Sequence, residues 1–227
     1  ILRGMGAPGF MTYWMALAVF LLESVSRFAP NLQSLTLLTL QIDFAGIMIC
    51  SGVYKTLAGY RHNEGMEYGM VNPQWGYHWK FFSKLPPSLL LFKFLDQSAW
   101  SIQTLGGILM LIPQMRVIGA LIIAGSFVFI ATQIRLGFLC EIVILGCFLF
   151  FPSVPIAPLQ GWDLPAVGVL WVYIGLLPLT YAGLFYNFVS TKSLPGRLQK
   201  FLDRYSNFFG IILWRVFTVE IVNFFIY

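Results

Sequence analysis

Residues 55–87 read KTLAGYRHNEGMEYGMVNPQWGYHWKFFSKLPP, and they form the long polar interval in an otherwise apolar chain. Both histidines of the protein, His62 and His78, lie within it. The sequence on either side has the character of membrane-spanning helix, since a span needs about 20 apolar residues to cross roughly 30 Å of hydrocarbon. The interval is therefore predicted to be a loop between membrane helices.

The composition of the whole chain is that of a membrane protein. Apolar residues make up 58% and charged residues 10% of the 227 residues, against roughly 25% charged residues in soluble proteins. We predict one all-α domain over residues 1–227, a polytopic integral membrane helical bundle with residues 55–87 as a cytoplasmic-side polar loop. The net charge of +5 accompanies few acidic residues, and in a membrane protein it marks inner loops rather than a nucleic-acid partner.

The apolar runs predict about seven transmembrane helices. The first three cover residues 10–28, 33–54 and 89–112. The run 117–151 is too long for one crossing and divides into two short spans at the turn QIRLG, residues 133–137. The sixth span covers residues 164–188, with a kink at Pro178, and the seventh covers 207–227. Between them, residues 192–204 (KSLPGRLQKFLDR) are amphipathic and are expected at the membrane interface.

The distribution of Lys and Arg predicts the orientation. With a cytoplasmic N-terminus and a C-terminus outside, eleven of these residues fall on the inner side: Arg3, Lys55, Arg61, Lys80, Lys84, Lys93, Arg135, Lys192, Arg197, Lys200 and Arg204. The outer side then has only Arg116 in a loop and Arg27 near a helix end. This bias predicts that orientation.

Charged side chains inside the predicted spans or at their ends each need a partner, an interfacial position or a function. The residues in question are Glu23, Arg27, Asp43, Arg135, Glu141, Arg215 and Glu220. Glu23 and Arg27 are four residues apart and are expected to pair. For Arg135 and Glu141, flanking the predicted turn, we expect headgroup contact and neutralisation of a nearby cation. Arg215 and Glu220 are five apart, so their partners are expected on other helices.

Asp43 has no local counter-charge, and two interpretations remain open for it. The first is a buried hydrogen bond that bridges helices, which is common for polar groups in membrane bundles. The second is a proton relay, which with Glu220 would make the protein a proton-coupled carrier. Nothing in the sequence indicates the broken helices or inverted repeats of such carriers.

The polar interval contains the candidate catalytic residues, namely Lys55, His62, Glu64, Glu67 and His78. Histidine titrates near neutral pH and serves as a base or as a ligand. The spacing H-x-E-x-x-E matches no metal motif such as HExxH, so no metal site is predicted. Solvated loop charges are the alternative interpretation. The tryptophans and tyrosine of NPQWGYHW, residues 72–79, fit an interfacial aromatic belt.

The predicted spans lack histidine, and this limits which cofactors they could hold. No histidine lies within them, which disfavours haem or chlorin held by histidine in mid-membrane. The three cysteines lie in apolar runs without a CxxC spacing and are expected to be buried hydrophobes. Bound membrane lipids are expected, and a pigment or a quinone remains open.

Several stretches resemble the HTTM and DoxX-like bacterial membrane proteins, the group of the vitamin-K-dependent carboxylase membrane domain and lipase-maturation-factor-like proteins. The resemblance lies in DFAGIMICSGVYKTLAGYR (43–61), GGILMLIPQMRVIGALIIAGSFVFIA (106–131), NPQWGYHW (72–79), QIRLGFLCEIVI (133–144) and WRVFTVEIVNFF (214–225). It implies a multi-helix bundle in the bacterial inner membrane, without a fixed chemistry. Carboxylation would require a catalytic lysine and a large lumenal domain, and no lysine here is assigned that role.

Two functions are predicted from these observations. The first is a membrane subunit or scaffold of a larger assembly, such as a respiratory or photosynthetic electron-transfer complex, with other membrane subunits as partners. Its basis is the abundance of aromatic residues and the lack of a catalytic motif. The alternative is a small HTTM/DoxX-type membrane enzyme or redox accessory that acts on a lipid or quinone at a cytoplasmic-side pocket. The sequence does not decide whether the protein is an enzyme.

Overall fold

The computed structural model describes residues 6–62, 65–151, 164–190, 194–211 and 213, and these residues are all-helical apart from turns and one isolated bridge. The helices are α1 (Gly6–Phe28), α2 (Gln33–Leu57), α3 (Met66–Val71), α4 (Trp79–Phe82), α5 (Leu90–Leu111), α6 (Arg116–Gln133), α7 (Leu139–Cys147), α8 (Leu164–Val189) and α9 (Gly196–Phe209). Short 3-10 turns cover Pro30–Leu32, Tyr60–His62 and Phe148–Phe150. The all-helical class predicted from composition is confirmed.

Four helical segments are long and apolar enough to cross a membrane: Pro8–Phe28, Pro30–Leu57, Arg116–Gln133 and Val167–Val189. The predicted count of seven is not confirmed. The third predicted span forms α5, which is long but carries Lys93, Asp96 and several uncharged polar side chains. The fifth forms the apolar helix Leu139–Phe150, about 18 Å long at about 1.5 Å per residue. Most of the seventh lies outside the described residues.

Helix α2 is the centre of the bundle, and glycines let it approach α5 closely. A Cβ atom added at Gly52 would lie 2.8 Å from the carbonyl oxygen of Trp100, and one at Gly107 would lie 3.0 Å from that of Ala45. On the other side of α5, a Cβ at Gly119 would lie 2.6 Å from the Gly106 oxygen on α5. Small residues at helix contacts are how membrane helices pack without a hydrophobic driving force.

The polar interval folds against the turn between α6 and α7. The backbone N–H of Tyr77 donates to the carbonyl of Gln133 at 3.0 Å, and that of Arg135 donates to Trp75 at 2.7 Å. The Arg135 guanidinium lies 5.0 Å from the centre of the Tyr77 ring. Gly137 makes this turn with a φ of +60°, a conformation that favours glycine. Residues 75–77 and the α6–α7 turn therefore lie at the same end of the bundle.

Helix α9 runs back along α8, in the opposite direction. Near the end of α8, the Asn187 amide donates to Gln199 at 2.9 Å. Further back on α8, the Tyr173 ring lies 5.0 Å from that of Phe209, the last residue of α9. Only the first turn of α9 thus lies beside the end of α8. The sequence predicts that the whole amphipathic segment, residues 192–204, lies at the membrane interface. The burial of Leu202 and Ser206 explains this course, since the apolar stripe of α9 packs on protein.

Candidate functional site

The structure separates the candidate residues of the polar interval. Lys55 and Glu67 are buried, with 5% and 8% of their surface exposed. His62, in the 3-10 turn, and His78, just before α4, are both exposed. Glu64 lies outside the described residues. The chemistry available inside the bundle therefore comes from Lys55, Glu67 and the polar residues that meet them.

Lys55 is buried because α5 offers it an acceptor. Its ammonium group donates to the side-chain oxygen of Gln103 at 2.7 Å, and the Ser51 hydroxyl, one turn earlier on α2, donates to the same oxygen at 2.9 Å. The ammonium also lies 5.7 Å from the centre of the Tyr60 ring. A cation over an aromatic face is attracted by the ring quadrupole, which offsets part of the cost of burying the charge.

These bonds fix which way the Gln103 amide faces. An ammonium group only donates, so the amide oxygen must be the atom next to Lys55, and the two amide N–H groups face elsewhere. Gln103 lines a cleft of about 350 Å³ between α5 and α6. The other polar lining residues are Ser98 and Ser126, and the walls are otherwise apolar, formed by residues such as Phe94, Leu95, Ile102, Ile122, Phe129 and Ile130. The cleft is thus an apolar site with Gln103, whose amide can donate, among its lining residues.

A pair of buried carboxyl groups lies nearby, at the contact of α3 with α5. Asp96 has no exposed surface, and one of its oxygens accepts the backbone N–H of Met66 at 2.6 Å. Glu67 accepts the N–H of Gly65 at 3.0 Å, and its carboxyl group makes a side-chain hydrogen-bond contact with that of Asp96. These bonds hold residues 65–67 against α5. Met66 also lines the cleft, so the carboxyl pair and the cleft share a wall.

The Tyr60 phenol lies close to this carboxyl pair. Burial, and then the negative charges of Asp96 and Glu67, raise the pKa of Tyr60 well above its usual value. The phenol therefore keeps its proton at any physiological pH. The backbone of this turn is held by Gln97, whose amide donates to the carbonyl of Tyr60 at 3.3 Å and to that of Arg61 at 3.2 Å.

Asp43 joins helices on the other side of α2. Its carboxylate accepts the indole N–H of Trp14, on α1, at 2.7 Å and makes a side-chain hydrogen bond with Tyr173, on α8. The Tyr205 phenol of α9 lies within electrostatic range of the same carboxylate. This geometry is the helix-bridging one of the two interpretations that the sequence left open.

The remaining charged residues lie at the surface or beyond the described chain. Glu23 and Arg27 form the ion pair that their spacing predicts, with an Nε to Oε1 distance of 2.7 Å and both side chains more than half exposed. Glu141 is exposed in the first turn of α7. Arg215 and Glu220 lie outside the described residues.

Two residues of this site were not singled out from the sequence, Asp96 and Gln103. Both lie within the third predicted span, and polar residues inside a span are candidate functional residues by default. That signal was available in the stretch DQSAWSIQT, residues 96–104. Which of its polar side chains face α2 could not be read without the helix packing.

The fold defines the class of the protein: an all-helical bundle with four segments long and apolar enough to cross a membrane. Comparison with protein-family models, with curated proteins and with solved structures finds no match to this chain. The resemblance to HTTM and DoxX-like proteins therefore stays a prediction, and the function is argued from the site alone.

Proposed function

We propose that the protein is an integral membrane bundle that binds a lipid-soluble molecule in the α5–α6 cleft, on the cytoplasmic side of the membrane. The observation that carries this proposal is that Gln103, whose amide oxygen accepts from Lys55, lines the cleft. Ligand sites are mostly apolar, have volumes of roughly 300–1,000 Å³ and contain a few placed polar groups. The cleft has this character, and a hydrogen-bond donor in an apolar wall favours a ligand that brings an acceptor.

The lining also favours a neutral ligand. No lining residue of the cleft carries a charge. A phosphate group would be desolvated there without a cation to pair with, which is costly. A carbonyl oxygen, as in a lipid ester or a quinone, accepts an amide N–H without that cost. The proposed ligand is thus an apolar molecule with a carbonyl group, and both sources share this chemistry.

The proposal includes seven crossings with the N-terminus in the cytoplasm. The contact between residues 75–77 and the α6–α7 turn supports this topology. It places the segment before α5 and the turn after α6 at the same end of the bundle. Helix α5 therefore runs away from that end, and α6 runs back to it. The segments that meet at that end contain Lys55, Arg61, Lys80, Lys84 and Arg135. This charge distribution favours a cytoplasmic position for the polar interval and for Lys55.

The test is ligand binding by the protein purified in nanodiscs, measured by native mass spectrometry with a decyl-benzoquinone and with a diacylglycerol as probes. Gln103→Glu keeps the volume and the acceptor for Lys55 and Ser51 but removes the amide donor, so binding is expected to fall about tenfold, as for the loss of one hydrogen bond. Gln133→Glu makes the same change outside the cleft and should bind normally. If Gln103→Glu binds both probes as tightly as the wild type does, the proposal is contradicted.

A second candidate function is a subunit of a larger membrane assembly. It is favoured by an open groove of about 750 Å³ along α1, lined by Phe20, Phe28 and the Glu23–Arg27 pair. Phe28 is 86% exposed. A charged pair on an apolar face is a feature that a helix of another subunit would cover. Copurification of one further membrane protein at fixed stoichiometry would support this function, and a solitary, monodisperse protein from native membranes would contradict it.

A further inference from the structure

We propose that Asp96 and Glu67 share a single proton and form a proton-binding site that controls access to the α5–α6 cleft. The proton site rests on the contacts of these two residues alone. Its control of the cleft rests also on the proposed function, that is, on a ligand binding there. The two parts are separable by experiment.

The first argument is the repulsion between two buried carboxyl groups in contact. Asp96 has no exposed surface and Glu67 is 8% exposed. Two carboxylates that share a buried site cannot both be ionised cheaply, because their like charges repel and burial disfavours the charged form. One proton between them removes a negative charge and turns the repulsion into a hydrogen bond.

The second argument is an unsatisfied oxygen. The Oδ1 atom of Asp96 accepts the N–H of Met66, but among the described residues no donor reaches its buried Oδ2 atom. A buried polar atom without a partner costs roughly 1–3 kcal/mol. A proton on this oxygen would let it donate to the Glu67 carboxylate, which is the group in contact with Asp96.

A proton fits this site better than a metal ion does. Calcium takes about six to eight oxygen ligands, and magnesium demands near-octahedral geometry. Within the described part of the chain, no group of three or more His, Cys, Asp or Glu side chains could hold a metal ion. The pair can therefore be neutralised by a proton with no further ligand.

The charges around the pair allow one negative charge but not two. Asp96 comes from α5 and Glu67 from α3, while the 3-10 turn contributes the neutral Tyr60 phenol. On α2, the Lys55 ammonium lies over the Tyr60 ring. The N–H groups of Gly65 and Met66 point at the two carboxyl groups. Two N–H groups, one for each carboxyl group, suit the singly ionised pair, and loss of the shared proton leaves a second charge unbalanced.

The link to the cleft is Met66. Its N–H is bound by Asp96, its side chain lines the cleft, and Glu67 is its neighbour on α3. When the pair releases its proton to solvent, the two carboxylates repel, and α3 is pushed away from α5. Met66 then leaves the wall of the cleft. The site is closed while the proton is bound and opens as the pH rises.

The test is hydrogen exchange of the Met66 amide in the full-length protein in nanodiscs, from about pH 5 to about pH 9 and corrected for intrinsic exchange. Protection in the wild type should fall by tenfold or more as the pH rises. Glu67→Gln and Asp96→Asn each keep a side-chain hydrogen bond and leave a single carboxyl group at the site, so two facing carboxylates cannot form and protection should not fall as the pH rises. Glu23→Gln, at the exposed ion pair, should behave as the wild type.

If protection of the Met66 amide does not change with pH in the wild type, the proton site is overturned. The same holds if Glu67→Gln and Asp96→Asn both show the pH dependence of the wild type. Binding of the decyl-benzoquinone and diacylglycerol probes at each pH separates the second part. A pH-dependent Met66 amide without binding at any pH would contradict the proposed function and leave the proton site standing. Binding that does not change with pH, beside a pH-dependent amide, would overturn the control of access only.

Discussion

At the scale of residues, three buried polar groups of α2 meet partners on neighbouring helices. Ser51 and Lys55 meet Gln103, and Asp43 meets Trp14. In hydrocarbon an unsatisfied polar group has no water to bind, so such side chains define which helices are neighbours. They explain why α2 lies at the centre of the bundle.

The bond between Trp14 and Asp43 predicts a measurable coupling. In a double-mutant cycle of Trp14→Phe and Asp43→Asn, we expect a coupling free energy of about 0.6–2 kcal/mol, the range seen for hydrogen bonds between membrane helices. The free energy of unfolding in mixed micelles is the quantity to measure. Strictly additive effects of the two substitutions would show that the bond does not link α1 to α2.

Lys55 is predicted to matter more for binding than for stability. Lys55→Met removes a buried charge that is costly to desolvate, so the melting temperature should stay level or rise. Without the ammonium only the Ser51 hydroxyl holds the Gln103 oxygen, so the amide is held less firmly and binding of the carbonyl probe should weaken by several-fold. Nanodisc binding and thermal unfolding of the same preparation check both. Unchanged binding with a large loss of stability would contradict this role.

At the scale of helices, the close approach of α2 and α5 predicts which glycines tolerate a methyl group. Gly52→Ala would bring a Cβ atom within 2.8 Å of the Trp100 carbonyl oxygen, whereas at Gly175 on α8 nothing lies within 4 Å. Overpacking costs about 1–3 kcal/mol, so Gly52→Ala should lower the melting temperature in detergent. Gly175→Ala is the matched control and should leave it unchanged or raise it. Equal effects of the two would contradict the packing.

Helix α9 predicts a preference for anionic lipids. Arg197, Lys200 and Arg204 are exposed at spacings of three and four residues, so they share one side of the helix. Long basic side chains extend to the membrane surface and attract anionic headgroups at about 1 kcal/mol each. Replacing all three with Gln should lower the share of phosphatidylglycerol that copurifies.

The control for α9 is the same triple change at Lys80, Lys84 and Lys93, which are exposed at the end of the bundle that holds the polar interval. These lysines are not arranged along one helix face, so their loss should reduce anionic lipid less. If both triple changes lower the share of phosphatidylglycerol equally, only net charge matters, and the arrangement of basic residues along α9 does not.

At the scale of the molecule, periodicity and length predicted the helices well and their partners poorly. The turn at residues 133–137 was found because a 35-residue apolar run exceeds one crossing and a glycine ends it. The course of α9 was missed because an amphipathic stripe looks the same whether it packs on lipid or on α8. The partnership of Lys55 with Gln103 depends on the α2–α5 crossing, which no local pattern encodes.

The central claim is that α5 crosses the membrane beside α6, although its polar residues make it less apolar than the four segments named above. The measurement is labelling of single cysteines in cells with an impermeant maleimide, in a background without Cys50, Cys140 and Cys147. Cysteines at Lys84 and Phe138 should react only after permeabilisation, and one at Gln114 should react in intact cells. Lys84 and Gln114 reacting from the same side would contradict the crossing, and with it the cleft between α5 and α6.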